Sequence, residues 1–193
     1  TTGIAGAPLF SAESFTMWLA VPPLLKGALE AKRIELERPS VTLAVNEDGY
    51  GNWRSLNAGY GSLPFVPTGV ELQSVHISDG TVALNLQRGG EVARLSKING
   101  ELAAKQLAGP YTFRGSVDLS GTEREIRLAT SEPDQAGTVR LNGQIRTPSS
   151  KDRYTVDLRL SNLWEQPAIE GDLSGRVQIN KMGDDAFAEL KAK

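Results

Sequence analysis

Apolar and polar residues alternate with a period of two along most of this 193-residue chain. The pattern is clearest in residues 111–120, where the odd positions are apolar or glycine and the even positions are polar or charged. Such alternation predicts strands with one buried face. Amphipathic segments of helical length are almost absent, which excludes the fold classes that alternate strands with helices.

Similar segments recur every 8–14 residues and predict roughly a dozen strands. We therefore expect an all-β fold: a curled, mostly antiparallel sheet, arranged as a taco-like trough or an open sandwich or barrel. One short helical turn is predicted near residues 22–27, with prolines at its entry and Gly27 at its end. Residues 1–60 are predicted to hold the N-terminal strands and this turn, and residues 61–193 a hairpin-rich sheet of the same domain.

Breaks in the alternation predict where the strands bend or turn. The apolar phase slips at Glu37-Arg38-Pro39, which a bulge would correct, and it changes again between Leu95 and Ile98. Asp79-Gly80 is a hairpin signal, and Asn99-Gly100 is a second turn pair. Residues 55–68 are predicted to form a long loop, and residues 184–193 are the only other helix candidate.

Composition excludes several common classes of function. The net charge is −2, without the basic stripe of a nucleic-acid binder. No cysteine is present, and His76 is the single histidine, which excludes thiolate sites and most histidine-based metal sites and hydrolytic triads. We therefore predict a protein that is not an enzyme and that needs no cofactor, metal or nucleic acid.

A sheet with one apolar face must cover that face, and here the face is mostly Leu, Val and Ile, with only 6% aromatic residues in the chain. Aliphatic walls suit acyl chains that slide, whereas a plain dry core is the competing interpretation. The residues predicted to line such a groove are Phe15, Met17, Leu19, Ile34, Leu36, Val41, Leu43, Tyr111, Phe113, Val117, Leu119, Val139, Leu141, Ile145, Val156, Leu158, Ile169 and Leu173. Leu141→Asp or Val156→Asp is expected to reduce lipid loading while the fold survives.

Three motifs occur in a fixed order in the first third of the chain. They are Leu24-Leu25-Lys26-Gly27, then Ile34-Glu35-Leu36-Glu37-Arg38-Pro39, then Asp48-Gly49-Tyr50-Gly51-Asn52-Trp53. Val75-x-Ile77-Ser78-Asp79-Gly80, Ile98-x-Gly100-x-Leu102 and Leu107-Ala108-Gly109-Pro110 with Gly115 follow. In order and spacing this set resembles the N-terminal region of the AsmA-like family over residues 9–119, and only the general pattern continues beyond.

The resemblance implies a function and a location. Members of that family are tethered to the inner membrane of Gram-negative bacteria, extend into the periplasm, and look like relatives of TamB and of bridge-like lipid-transfer proteins. It implies a phospholipid or another acyl-chain ligand, possible partners among envelope proteins, and a role in outer-membrane assembly. The family's membrane helix is absent from these residues, so we expect a longer parent to carry it. About a dozen strands would stack to only ~55–60 Å, which is short for bridging an envelope and implies a longer parent or partners.

Other interpretations remain open. A structural or partner-binding β-domain with a dry core is the main alternative, and a carbohydrate binder would use Trp18, Trp53 and Trp164. Trp53 is expected to close a hairpin end. Asn46, Asp48 and Asn52 are spaced as in a calcium loop without its terminal glutamate, and Glu123 with Glu125, or Asp184 with Asp185, could form a glycosidase carboxylate pair.

Overall fold

The computed structural model describes residues 9–24, 31–54, 72–86, 90–104, 109–150, 152–163, 166–178 and 187–192. Its strands form a single mixed sheet, which confirms the predicted all-β class. The elements are β1 (Phe10–Ser11), β2 (Ser14–Leu19), α1 (Val21–Leu24), β3 (Ala31–Glu37), β4 (Ser40–Val45), β5 (Leu72–Leu86), β6 (Gly90–Ala104), β7 (Tyr111–Leu119), β8 (Thr122–Thr130), β9 (Val139–Arg146), β10 (Arg153–Ser161), β11 (Ala168–Gln178) and β12 (Phe187–Ala192).

The order of the strands makes the sheet narrower than their number suggests. β3 and β4 pair end to end, and in parallel, with the long strand β5, while β2 and β1 pair with their outer edges. From β5 to β12 each strand pairs antiparallel with the next. The sheet is therefore ten strands wide, or ~43 Å, rather than the ~55–60 Å expected from stacking twelve.

The chain bends at neighbouring positions in three adjacent parts of the sheet. Arg38 between β3 and β4, Asp79 in β5 and Lys97 in β6 all have positive φ angles, of 46°, 55° and 47°. Pairing between β5 and β6 shifts register on both sides of Gly80, as expected of bulges. We call Arg38, Asp79 and Lys97 the bend row. Their positions confirm the breaks predicted at Glu37–Pro39 and between Leu95 and Ile98.

The predicted hairpin at Asp79-Gly80 is wrong, because β5 continues through it. The Asp79 N–H donates to the Asn99 side-chain oxygen, and Gly80 leaves room for the Pro39 ring, 3.3 Å from where a Cβ would lie. Asn99-Gly100 likewise lies inside β6. A bulge and a tight turn both need a left-handed residue, so Asp-Gly signals either one.

The structure describes part of each segment that was predicted to be helical. The turn predicted near residues 22–27 overlaps α1, although residues 25–27 lie outside the described residues. The helix predicted for residues 184–193 is wrong where it is described, because Phe187–Ala192 is strand β12, paired with β11. Pairing with an open sheet edge overrides a local helix preference there. The loop predicted for residues 55–68 lies outside the described residues.

Beyond the bend row, β4, residues 81–86 and residues 90–96 form what we call the arm. Val82 and Leu95 of the arm pack against the buried cluster of Ile98, Val117 and Ile126. At the tip of the arm, the Trp53 Nε1–H donates to the Leu163 carbonyl oxygen at 2.8 Å. In a flat sheet β4 and β10 would be ~29 Å apart. The sheet is therefore curled, with the arm turned over its apolar face.

A second contact holds the tip of the arm in place. The Gln166 amide donates to the Asp48 carbonyl oxygen at 3.1 Å, close to the Trp53–Leu163 bond. We call residues 46–53 with these two bonds the clasp. Trp53 was expected to close its own hairpin end, and its partner instead lies 110 residues away in the chain.

Candidate functional site

Two rows of apolar residues run across the strands on one face of the sheet. Residues paired in neighbouring strands point to the same side, so the register defines each row. The first row crosses nine strands: Met17, Ile34, Val75, Leu102, Phe113, Leu128, Gly143, Val156 and Leu173. The second contains Phe15, Leu36, Ile77, Gly100, Gly115, Ile126, Ile145 and Tyr154. We call this face the trough.

The register places all eighteen predicted groove residues on the trough. Leu19 packs against Ala31, Ile34 and Val75. Val41 and Leu43 pair with Val82 and Leu84 of the arm. The remaining candidates lie two or four residues from a member of these rows in the same strand, and therefore on the same face: Tyr111, Val117, Leu119, Val139, Leu141, Leu158 and Ile169.

The trough is closed in its middle and open at its sides. Val117, Ile126 and Val156 are at most 8% exposed. Towards one side edge Phe15 and Met17 are 54% and 43% exposed, and towards the other Ile169 and Leu173 are 63% and 42% exposed. A hollow of about 520 Å³ beside Leu158, Ile169 and Gly171 adjoins the second opening.

Because Val156 is buried, Val156→Asp is expected to damage the fold itself.

Two glycines face each other in β6 and β7, so the trough has no side chains at this position. Gly100 pairs with Gly115, and a Cβ placed on Gly115 would lie 2.1 Å from the Asn99 carbonyl oxygen. The same position would be 2.8 Å from Cζ of Phe113, whose ring therefore lies over the glycine. The aromatic ring supplies the apolar surface that the glycine lacks.

The opposite face of the sheet carries the charged residues. Glu35, His76, Glu101 and Arg114 form one row there, beside a hollow of about 590 Å³. Glu123 and Glu125 are exposed on this face too, and Glu125 forms an ion pair with Arg146 at 3.2 Å. Both carboxylates of the suggested glycosidase pair are thus exposed, and one of them is paired with a cation.

Two asparagine side chains of the clasp form hydrogen bonds with backbone groups. The Asn46 side-chain oxygen accepts the Tyr50 N–H at 2.8 Å. Asn52 accepts the Ala44 N–H at 3.0 Å and donates to the Thr42 carbonyl oxygen at 2.8 Å, as a neighbouring strand would. The two asparagines suggested as calcium ligands thus serve the fold, and Asn52 covers part of the outer edge of β4.

Asn52→Asp is expected to lower the free energy of unfolding by about 2 kcal/mol, because the shape is kept but the donor to the Thr42 carbonyl is lost. Urea unfolding of the two proteins measures the difference. Asp48→Asn is the matched control, since the Asp48 side chain is exposed and only its backbone oxygen takes part in the clasp. Equal stability of Asn52→Asp and the parent would contradict the edge-covering role.

The structure adds trough residues that the sequence-based choice omitted. Val75, Ile98, Leu102 and Ile126 are buried or half-buried on the same face. Ile98 and Leu102 were obscured by the phase change at Lys97, which conceals which side of β6 is apolar. Ile126 was recognisable from the alternation within β8.

The tryptophans proposed for carbohydrate stacking are not brought together where they are described. Trp18 is exposed on the charged face, with the Arg33 guanidinium 5.7 Å from its ring. Trp53 is held in the clasp by its hydrogen bond to Leu163. Trp164 lies outside the described residues.

No protein-family profile, curated protein or solved structure matches this chain. The resemblance to the AsmA-like family therefore rests on the ordered motifs alone. Among the described residues, no helix has the length and apolar character needed to cross a membrane.

Proposed function

We propose that this chain is a non-enzymatic lipid-binding and lipid-transfer module of a periplasmic protein. The observation that carries the proposal is the apolar row that continues across nine strands and is exposed at both of its ends. Monomeric proteins seldom expose contiguous apolar surface unless it binds something. The motifs shared with the AsmA-like family favour phospholipid as the ligand, and an inner-membrane-anchored parent in a Gram-negative bacterium that contributes to outer-membrane assembly.

The trough lowers the main barrier to moving a lipid through water. An acyl chain exposed to water costs ~0.8 kcal/mol for each CH₂ group. Aliphatic side chains that repeat from strand to strand offer each position a similar environment, because dispersion contacts have no direction. Along each open side of the trough, a chain can therefore shift without large steps in free energy, and the process requires no cofactor.

Phospholipid is expected in the organic extract of protein purified without detergent, detected by mass spectrometry. Replacing Ile169 and Leu173 together with aspartate is expected to reduce the bound lipid by about tenfold, because charges at the open side of the trough repel acyl chains. Both side chains are exposed, so the variant should fold.

The matched control for this experiment is Ser174→Asp, which adds a charge on the opposite face of the same strand. Circular dichroism and melting establish that each variant folds. Lipid content that is unchanged in the folded Ile169→Asp/Leu173→Asp protein would contradict the proposal.

The second candidate is a structural or partner-binding β-domain with a dry core. The cluster of Ile98, Val117 and Ile126 favours it, since the arm already packs against the middle of the trough. A lipid-free extract together with a cooperative melt that added phospholipid does not shift would support this alternative.

A further inference from the structure

Arg124 places a cation on the apolar side of the sheet. Arg124 of β8 pairs with Val117 and is two residues from the buried Ile126, so the register places it on the trough face. It is half-buried, near the hairpin that joins β7 to β8, where Leu119 is 40% exposed. The charge therefore stands where the apolar surface meets water.

The guanidinium of Arg124 is held in position but not neutralised. Its Nη1 donates to the hydroxyl of Thr147, the one buried polar side chain among the described residues, and its Cζ lies 5.8 Å from the centroid of the Tyr154 ring. Within the described part of the chain, no carboxylate lies within 4 Å of it. Asp152, whose carbonyl oxygen accepts the Thr147 N–H at 3.3 Å, belongs to the segment before β10, two strands from Arg124.

Arg124 also has an unused hydrogen-bond donor. Its Nε is buried and has no partner. An unpaired buried donor is costly, and a guanidinium does not release its charge by deprotonation. Nε and Nη2 form the side of the guanidinium that binds two oxygens of one anion, and Thr147 engages only Nη1. An oxyanion that displaces the atoms covering Nε would therefore satisfy this donor.

We propose that Arg124 binds the phosphate of an acyl lipid whose chain lies on the trough beside Ile145. Thr147 and Tyr154 act as positioning residues that orient the guanidinium. This inference rests on the proposed function, because it assigns the head-group end of the same ligand. A phosphate suits the site because its oxygens match the fork of the guanidinium.

The test compares two soluble lipids that differ only in the phosphate: 1-oleoyl lysophosphatidic acid and 1-oleoyl glycerol, each below its critical micelle concentration. Binding to delipidated protein is measured by calorimetry or native mass spectrometry. The wild-type protein is expected to bind the phosphate-bearing lipid about tenfold more tightly. This preference should shrink as salt is raised, while binding of oleoyl glycerol should not weaken.

Arg124→Gln is expected to abolish the preference, so that the two lipids bind with equal affinity. Arg127→Gln is the matched control, because it removes the same charge from the opposite face of the same strand, and it should keep the preference. If Arg124→Gln does not fold, the wild-type preference and its salt dependence still decide the question.

The possible outcomes separate this inference from the proposed function. Equal affinity of the wild-type protein for both lipids would overturn the role of Arg124 and leave the lipid trough standing. Failure of both lipids to bind would overturn the proposed function as well. Inorganic phosphate that binds as tightly as the lysophospholipid would reveal an anion site independent of the trough, and would also overturn the inference.

Discussion

Gly115→Ala is expected to lower the free energy of unfolding by about 3 kcal/mol. The added Cβ would lie 2.1 Å from the Asn99 carbonyl oxygen and 2.8 Å from the Cα of Gly100, so β6 and β7 would have to separate. Both neighbours are backbone atoms, which cannot move without breaking the pairing of the two strands. Urea unfolding monitored by circular dichroism measures the change.

A matched glycine separates this steric effect from the general cost of replacing glycine. Gly121 has a φ angle of +81°, but no atom lies within 4 Å of where its Cβ would be, so Gly121→Ala should cost only ~1–2 kcal/mol of backbone strain. Replacing the Phe113 ring with the smaller leucine side chain, in Gly115→Ala/Phe113→Leu, should not restore stability, because the contact with Asn99 remains. Equal losses at Gly115 and Gly121 would contradict the close approach of the strands.

The second large effect is expected at the clasp. Trp53→Ala should lower the free energy of unfolding by about 3 kcal/mol, because it removes a large half-buried ring and the bond to Leu163. Trp53→Phe keeps most of the ring and should cost about 1 kcal/mol, the share of the hydrogen bond. Gly51→Ala should resemble Trp53→Ala, since its Cβ would lie 2.4 Å from the indole.

Hydrogen exchange distinguishes an opened clasp from general destabilisation. Amide protection at Leu163, whose N–H donates to the Gly137 carbonyl oxygen, should fall more in Trp53→Ala than protection in β7 and β8. Trp18→Ala is the control, because that ring is exposed at the edge of the sheet. A uniform loss of protection in Trp53→Ala would contradict the idea that the contact locally holds the curl.

The strands and their apolar face were predictable because alternation is a local signal. Each strand from β7 to β11 needs only its own residues to reveal which side is apolar, and the eighteen groove candidates consequently share one face. The break at Arg38 was predictable for the same reason, since a slip of phase is visible within ten residues.

The remaining features depend on contacts between distant residues. Asp79-Gly80 predicts a turn because a tight turn and a left-handed bulge use the same residues, and only pairing with β3 and β4 shows that β5 continues. Parallel pairing leaves no local mark at all. The partner of Trp53 was beyond prediction too, because nothing near Leu163 identifies its backbone oxygen as an acceptor for an indole.

The clasp also sets an order of events in folding. Hairpins from β5 to β11 close loops of a few residues, but the Trp53–Leu163 bond joins positions 110 residues apart. Closing so long a loop is slow until the intervening sheet has formed. A chain that emerges at ~5–20 residues per second exposes the indole for roughly 5–20 s before its acceptor exists. The bend row and the arm must therefore assemble first, and the curl is completed last.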